Sequence, residues 1–265
     1  MRERKELFLS LTAKENIARA VIGDALAKYI RPAIIWSGGK DSTTVLHLVK
    51  QVSESMNMKM PPSFFVDHGD HFPETMEFLM EVSGIWNIKL FTARNEDLLN
   101  HVKDGNVNVL ELNAENQSEI KKIGFTGAEF SYSLDTEIGN HLLKTVPMND
   151  LIRKYRFDAL ITGVRWDENP ARSDDVFISP RQGHMRIQPI IPFLEKDIWE
   201  YIFKYSLPIH PLYRQGYRSI DGIHDSHKVS DKPAWEQDLE RTKERAGRSQ
   251  DKESMMEKLR ALGYM

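Results

Sequence analysis

Two rhythms of apolar residues run along the chain. Short, largely apolar runs occur at Ala33 to Trp36, Ser63 to Val66, Ile88 to Thr92 and Asp158 to Gly163. Their length and lack of strict alternation suit strands buried on both faces of a parallel sheet. Elsewhere the apolar residues return every three or four positions. Ile17, Ala18, Val21, Ile22, Leu26 and Ile30 predict a helix over about 13–30, opened by the capping box Thr12-Ala13-Lys14-Glu15 and stopped by Pro32. Val45, Leu46, Leu48 and Val49 predict a second helix, and Pro73 opens a third that runs to Ser83 and closes at Gly84. Residues 138–155 read as helix divided at Pro147, and Asp197 to Ile202 as an amphipathic helix with Trp199 in the core. Ile187 to Phe193 is apolar but broken by Pro189 and Pro192, and residues 96–136 show no clear period. Strands alternating with helices predict an α/β fold built on a doubly wound, mainly parallel sheet.

The first strand ends in Trp36-Ser37-Gly38-Gly39-Lys40-Asp41-Ser42, directly before the second predicted helix. Gly38 and Gly39 let the backbone turn sharply and bring its N–H groups close to a ligand, while the helix start aims unpaired amides and a positive dipole end at the same place. The result is an anion site suited to phosphate, with Ser37 and Ser42 as hydroxyl donors, Lys40 as a mobile charge and Asp41 beside them. A plain tight turn is the alternative. The Walker A spacing is missing.

Three further stretches carry chemistry. Asp67-His68-Gly69-Asp70-His71 follows the second strand, at the edge where open parallel sheets bind ligands. This loop faces a nucleotide opposite the phosphate turn, with Asp67 and Gly69 as the contacts. Asp67 also reads as a metal ligand, and a solvated polar loop is the bland reading. Gly163-Val164-Arg165-Trp166-Asp167-Glu168-Asn169-Pro170-Ala171-Arg172 places two arginines beyond a strand end, where their planar forks suit phosphate or sulfate unless neighbouring carboxylates pair with them. Arg218 is a further anion-binding candidate.

Composition narrows the picture. The 265 residues are 40% hydrophobic and 28% charged, enough for one sizeable core. The net charge of −3 gives no general pull toward nucleic acid. No apolar run approaches the roughly 20 residues of a membrane helix, and the N-terminus has no signal-peptide pattern, which points to the cytoplasm. From residue 214 to 265, 21 of 52 residues are charged. The division expected is a nucleotide-binding domain over 1–213 and a charged arm over 214–265 that covers the main domain or mediates homo-oligomer assembly. There is no cysteine, which removes thiol nucleophiles, thiolate metal sites and iron–sulfur clusters from this chain.

Ser37 to Ser42 after an apolar strand resembles the PP-loop of the ATP pyrophosphatase superfamily. Four more motifs follow in order: Val66-Asp67-His68-Gly69 with Phe72-Pro73-Glu74-Thr75, Gly163 to Arg172, Asp197 to Ile202, and Pro211 to Ile220. Together they resemble that superfamily's adenylyl-sulfate branch, the PAPS reductases and the small subunit of bacterial sulfate adenylyltransferase. The fold implied is that of the adenine nucleotide alpha hydrolases. The reductases' cysteine region after Tyr-Arg-Ser-Ile-Gly is replaced here by Asp221-Gly222-Ile223-His224-Asp225, and their Cys-Cys pair by Gly139-Asn140. The last residues, Glu244 to Arg248 and Leu262 to Met265, resemble the transferase subunit, whereas Gly216 to Ile220 has the reductase wording.

The leading expectation is adenylyl transfer from ATP to an oxyanion, sulfate by resemblance, giving adenylyl sulfate and pyrophosphate. ATP phosphates with Mg²⁺ would lie on Ser37, Gly38, Gly39, Lys40, Asp41 and Ser42, with Asp67, Gly69, Gly163 and Arg218 completing the nucleotide site. Lys40, Arg165 and Arg172 are the candidate catalytic cations, placed to stabilise charge as it spreads. The resemblance also implies a GTPase partner subunit. The rival is a PAPS reductase-like protein that binds sulfonucleotides and has lost the catalytic cysteine. A tRNA-modifying PP-loop enzyme is a third reading, weakened by the missing cysteine and the low net charge.

Overall fold

Five parallel strands and one antiparallel edge strand form the central sheet of the computed structural model, which describes residues 4–169 and 172–247. In chain order the strands are β1 (Pro32–Ile35), β2 (Ser63–Asp67), β3 (Leu90–Arg94), β4 (Val102–Lys103), β5 (Asn106–Asn108), β6 (Glu129–Ser131), β7 (Ala159–Ile161), β8 (Ile178–Arg181) and β9 (His184–Ile187). The large sheet runs β3-β2-β1-β7-β9-β8, with β8 antiparallel to β9. The helices are α1 (Leu11–Lys28), α2 (Lys40–Ser55), α3 (Pro73–Ile85), α4 (Glu96–Asn100), α5 (Ala114–Lys122), α6 (Glu137–Asn140), α7 (Val146–Tyr155), α8 (Glu195–Lys204) and α9 (Pro211–Arg214).

Strand pairing divides neighbouring residues between two cores. Ile34, Phe65, Ile161 and Ile187 pack with α1, α2, α3 and α8, while Ala33, Phe64 and Leu160 pack with Leu151 and Ile152 of α7. Both faces are covered, which is why these strands lack alternation. Chain order reverses beside β1, which pairs with β2 on one side and β7 on the other. Ligands bind at such a switch point, beyond the strands' carboxyl ends.

Several boundaries differ from the expectation. α1 starts at Leu11, because the Ser10 side chain accepts the Ala13 N–H and so caps ahead of Thr12. α3 continues through Gly84 to Ile85, and the left-handed residue after it is Asn87 (φ 50°). The helix over 138–155 is divided by a π-helical segment, His141–Thr145, with Pro147 in the first turn of α7, where its missing N–H costs nothing. The unassigned stretch after β3 forms α4, α5 and the small antiparallel sheet β4-β5-β6, around Leu98, Val107, Ile120, Phe130 and Leu142. Trp199 is buried. No helix among the described residues is long and apolar enough to cross a membrane.

Candidate functional site

Gly38 (φ 79°) makes the turn from β1 into α2, and Gly39 is the residue that caps the helix. A Cβ on Gly163, just beyond β7, would stand 2.9 Å from the backbone of Asp41 and Ser42. Glycine is therefore needed there for the strand exit to touch the loop. The loop is held internally: Ser37 N–H donates to Ser42 Oγ (3.2 Å), the two hydroxyls lie 3.1 Å apart, and Lys40 N–H donates to the Tyr213 hydroxyl (3.0 Å).

A cavity of about 340 Å³ opens at the switch point. Of the sequence-predicted residues, Ser37, Gly39, Lys40, Asp41, Ser42, Gly163 and Arg172 line it. Gly38 instead faces Phe78, Leu79 and His210. Lys40 is buried and pairs with Glu244, with Asp41 at 3.4 Å and Glu195 at 3.9 Å. Burial opposes its charge, but Glu244, with Tyr213 and Glu195, outweighs that and raises its pKa above the ordinary 10.5. Arg165 is completely buried and bonded to Asp41, Glu244 and Asp167, which raises its pKa against the cost of burial. Two of the three expected catalytic cations are thus already matched by the Glu244 carboxylate. That carboxylate comes from a charged stretch whose sequence carries no signal for it.

Arg218, also buried, holds the Glu195 carboxylate through Nε (3.0 Å) and Nη2 (2.7 Å), and donates to the Asp238 and Leu239 carbonyls and to Thr242. It fastens the chain after α9 to the start of α8 and does not line the cavity. Asp67 and Gly69 lie off the cavity as well. The Asp67 carboxylate accepts from Arg94 and from Gly69 N–H (2.9 Å), with His71 at 3.6 Å. Gly69 (φ 83°) sits against Leu99 and Tyr132. The imidazoles of His68 and His71 lie with their ring centroids 3.6 Å apart at a 37° tilt, and burial holds both below the usual histidine pKa, His71 at about 4. Among the described residues no group of three or more His, Asp or Glu could hold a metal ion.

The expectation gave no role to several cavity residues. Lys144 lies in the π-helical turn and holds Asp221 through both oxygens (2.8 and 2.9 Å). Arg245, beside Glu168 (2.7 Å), comes from the far end of the described chain, and Arg186 comes from β9. The tract Pro170-Ala171 and the transferase-like ending from Arg248 to Met265 lie outside the described residues.

A glycine loop between the first strand and its helix, at the switch point of a parallel sheet, defines an α/β protein of the PP-loop type. The chain belongs to the phosphoadenosine phosphosulfate reductase domain family, whose model matches residues 31–228. It is 28% identical over 201 residues to a phosphoadenosine 5'-phosphosulfate reductase of Xylella fastidiosa (75% of this chain, 73% of that protein). A reductase of the same name from Salmonella heidelberg is 25% identical over 221 residues, covering 83% and 78%. Two solved structures share the fold. The phosphate complex of Candida auris phosphoadenylyl-sulfate reductase has a TM-score of 0.57 at 18% identity, covering 82% of this chain and 97% of that one. Candida glabrata FMN adenylyltransferase has 0.64 at 15% identity, covering 93% of each chain. Both relatives carry reductase names, so the leading expectation of sulfate adenylylation gains nothing from them, and the sulfonucleotide reading is favoured over it.

Proposed function

We propose that this chain is a sulfonucleotide-binding member of its family that brings no thiol to the reaction. The carrying observation is the cavity at the switch point, walled by the Ser37 to Ser42 loop and by Arg172 and Lys144, in a chain without cysteine. The loop would take the 5' phosphosulfate end of an adenylyl sulfate nucleotide, with Gly163 keeping the strand exit tight against it. Asp67, Gly69 and Arg218 would act one step back, shaping the loop after β2 and fastening the chain after α9. Reductive cleavage of a phosphosulfate needs a sulfur nucleophile, so any thiolate must come from a second molecule. Calorimetry with phosphoadenylyl sulfate, adenylyl sulfate and ATP tests this. Tighter binding of the two sulfonucleotides, with ATP left intact, is expected. Tighter ATP binding with pyrophosphate release overturns it.

A second reading, adenylyl transfer from ATP to sulfate, is favoured by one observation: a loop with both glycines and Lys40 at the cavity wall while no cysteine is present. In that reaction Lys40 and Arg172, which line the cavity, would stabilise charge at the α phosphorus, with Arg165 buried behind them holding Asp41 and Glu244, and Mg²⁺ would share the charge of the departing pyrophosphate. A GTPase partner belongs to this reading, because the anhydride product lies uphill. Pyrophosphate release from ATP, Mg²⁺ and sulfate is the discriminating assay.

A further inference from the structure

A second cavity, of about 390 Å³, opens at the other end of the sheet from the Ser37 to Ser42 loop. Its wall is built where strands begin: Pro32 in β1, Pro62 just before β2, Lys89 just before β3 and Phe157 two residues ahead of β7. Nothing in the nucleotide reading uses it. Phe91 pairs with Phe64 and lies on the side of the sheet packed by α7, whose last residue is Tyr155. The rings of Phe91 and Tyr155 lie 4.2 Å apart at 30°, and that of Phe157 stands 5.7 Å from Tyr155 at 26°. Together they make a wall of nearly aligned rings. Lys89, two residues before Phe91 and so facing the same way, holds its Nζ 4.8 Å from the Phe91 ring centroid.

The chain leaving α1 meets the same cavity. Tyr29 lines it, and its buried hydroxyl has no hydrogen-bond partner among the described residues. The turn after Tyr29 is tied to the aromatic wall, because the carboxylate of Asp158, next to Phe157, accepts the N–H groups of Ile30 (2.8 Å) and Arg31 (2.9 Å). Charge around the cavity is of one sign. Arg31, Lys59 and Lys89 are exposed residues of its lining, and no carboxylate lines it.

These features select a ligand. Aligned rings gain most from another flat ring laid against them. Cations with no facing carboxylate repel one another and gain from an anion, and a buried hydroxyl costs stability until an acceptor reaches it. A carboxylate supplies the charge and the acceptor together. The volume is that of a small-molecule site, and its lining is mostly apolar with few polar groups, as in such sites.

We propose that this cavity binds a planar aromatic carboxylate, with its ring on the wall of Phe91 and Tyr155 and its carboxylate between Lys89 and the Tyr29 hydroxyl. The proposal does not rest on the sulfonucleotide reading, since the two cavities share no lining residue.

The experiment is calorimetry at low ionic strength with 2-naphthoate as the probe, 2-naphthalenemethanol as its neutral analogue and cyclohexanecarboxylate as its non-planar one. The wild type should bind naphthoate saturably at one site, and the other two more weakly. Lys89→Glu, an exposed change, should weaken naphthoate roughly tenfold and leave the alcohol unchanged. Tyr29→Phe should weaken the acid and the alcohol alike, roughly fivefold, since either oxygen can accept from the hydroxyl. Excess adenylyl sulfate or ATP should not displace naphthoate. No saturable heat from naphthoate up to several millimolar, where a ligand of this size should already bind, overturns the proposal. So does a variant that leaves naphthoate binding unchanged, a Lys89→Glu loss shared by the alcohol, cyclohexanecarboxylate binding as tightly as naphthoate, or displacement by a nucleotide.

Discussion

Glu244 does at one residue what a bound anion would do: it neutralises Lys40 and Arg165 together, and their pull lowers its own pKa despite its burial. Removing one partner of a buried ion network typically costs about 3–5 kcal/mol, because the remaining charges are left uncompensated. Glu244→Gln is therefore expected to melt lower than the wild type in chloride and to gain more from added pyrophosphate, which can replace the missing charge. An identical pyrophosphate shift in the two proteins, measured by thermal melting, would show that Glu244 does not share its cations with the ligand. Gly163 acts by contact instead of charge. Gly163→Ala places a methyl 2.9 Å from the loop backbone, so the loop must move. Overpacking of this kind costs about 1–3 kcal/mol, and nucleotide affinity should fall by at least about tenfold while helix content, read by circular dichroism, is retained.

At the scale of elements, α9 is a short helix whose cap is an imidazole. His210 Nδ1 accepts the Leu212 N–H (3.3 Å), and Nε2 lies 3.0 Å from the Thr75 hydroxyl of α3, so the neutral ring joins the two helices. Burial alone lowers its pKa from 6.5 to about 4. The unfolded chain then binds the proton first, so this contribution is whole above about pH 6.5 and is lost as pH falls toward 4. A shift of that size corresponds to roughly 3 kcal/mol at most. His47 and His71, lowered to about 4 chiefly by burial, add slopes of the same sign. Urea midpoints should fall steeply between about pH 7 and about pH 4.5, and less steeply in His210→Asn, whose side chain can cap but does not titrate. An unchanged slope would assign the acid sensitivity to the other histidines. The π-helical turn belongs to this scale too: it brings Lys144 to the cavity while Pro147 starts the next helix.

Across the whole molecule, the chain after α9 is held on by polar anchors more than by a core of its own. Arg218 bonds Glu195 of α8 and three groups between Asp238 and Thr242, and Glu244 closes on Lys40 and Arg165. Arg218→Ala should release this segment: protease cleavage after residue 214 is expected at concentrations that leave the wild type whole, with a stability loss of about 3–5 kcal/mol in urea. Wild-type protease resistance would show that Ala234 and Trp235, packed on the core, suffice.

The repeating apolar runs and the Gly38-Gly39 turn settled, before any coordinates, that β1, β2 and β7 would be parallel and doubly covered, because burial on two faces leaves its mark in consecutive residues. The family motifs were legible for the same local reason, since a tight turn or a close backbone approach demands particular residues at fixed spacing. Which charges face the cavity was not legible. Arg165, Arg172, Arg186 and Arg218 look alike in sequence, and only folding decides that Glu244 and Asp41 neutralise the first, Asp175 flanks the second, the third makes no ion pair among the described residues, and Glu195 holds the fourth. Asp175 apart, the partners stand tens of residues away along the chain, and charge pairing depends on distance in space, which local sequence does not encode.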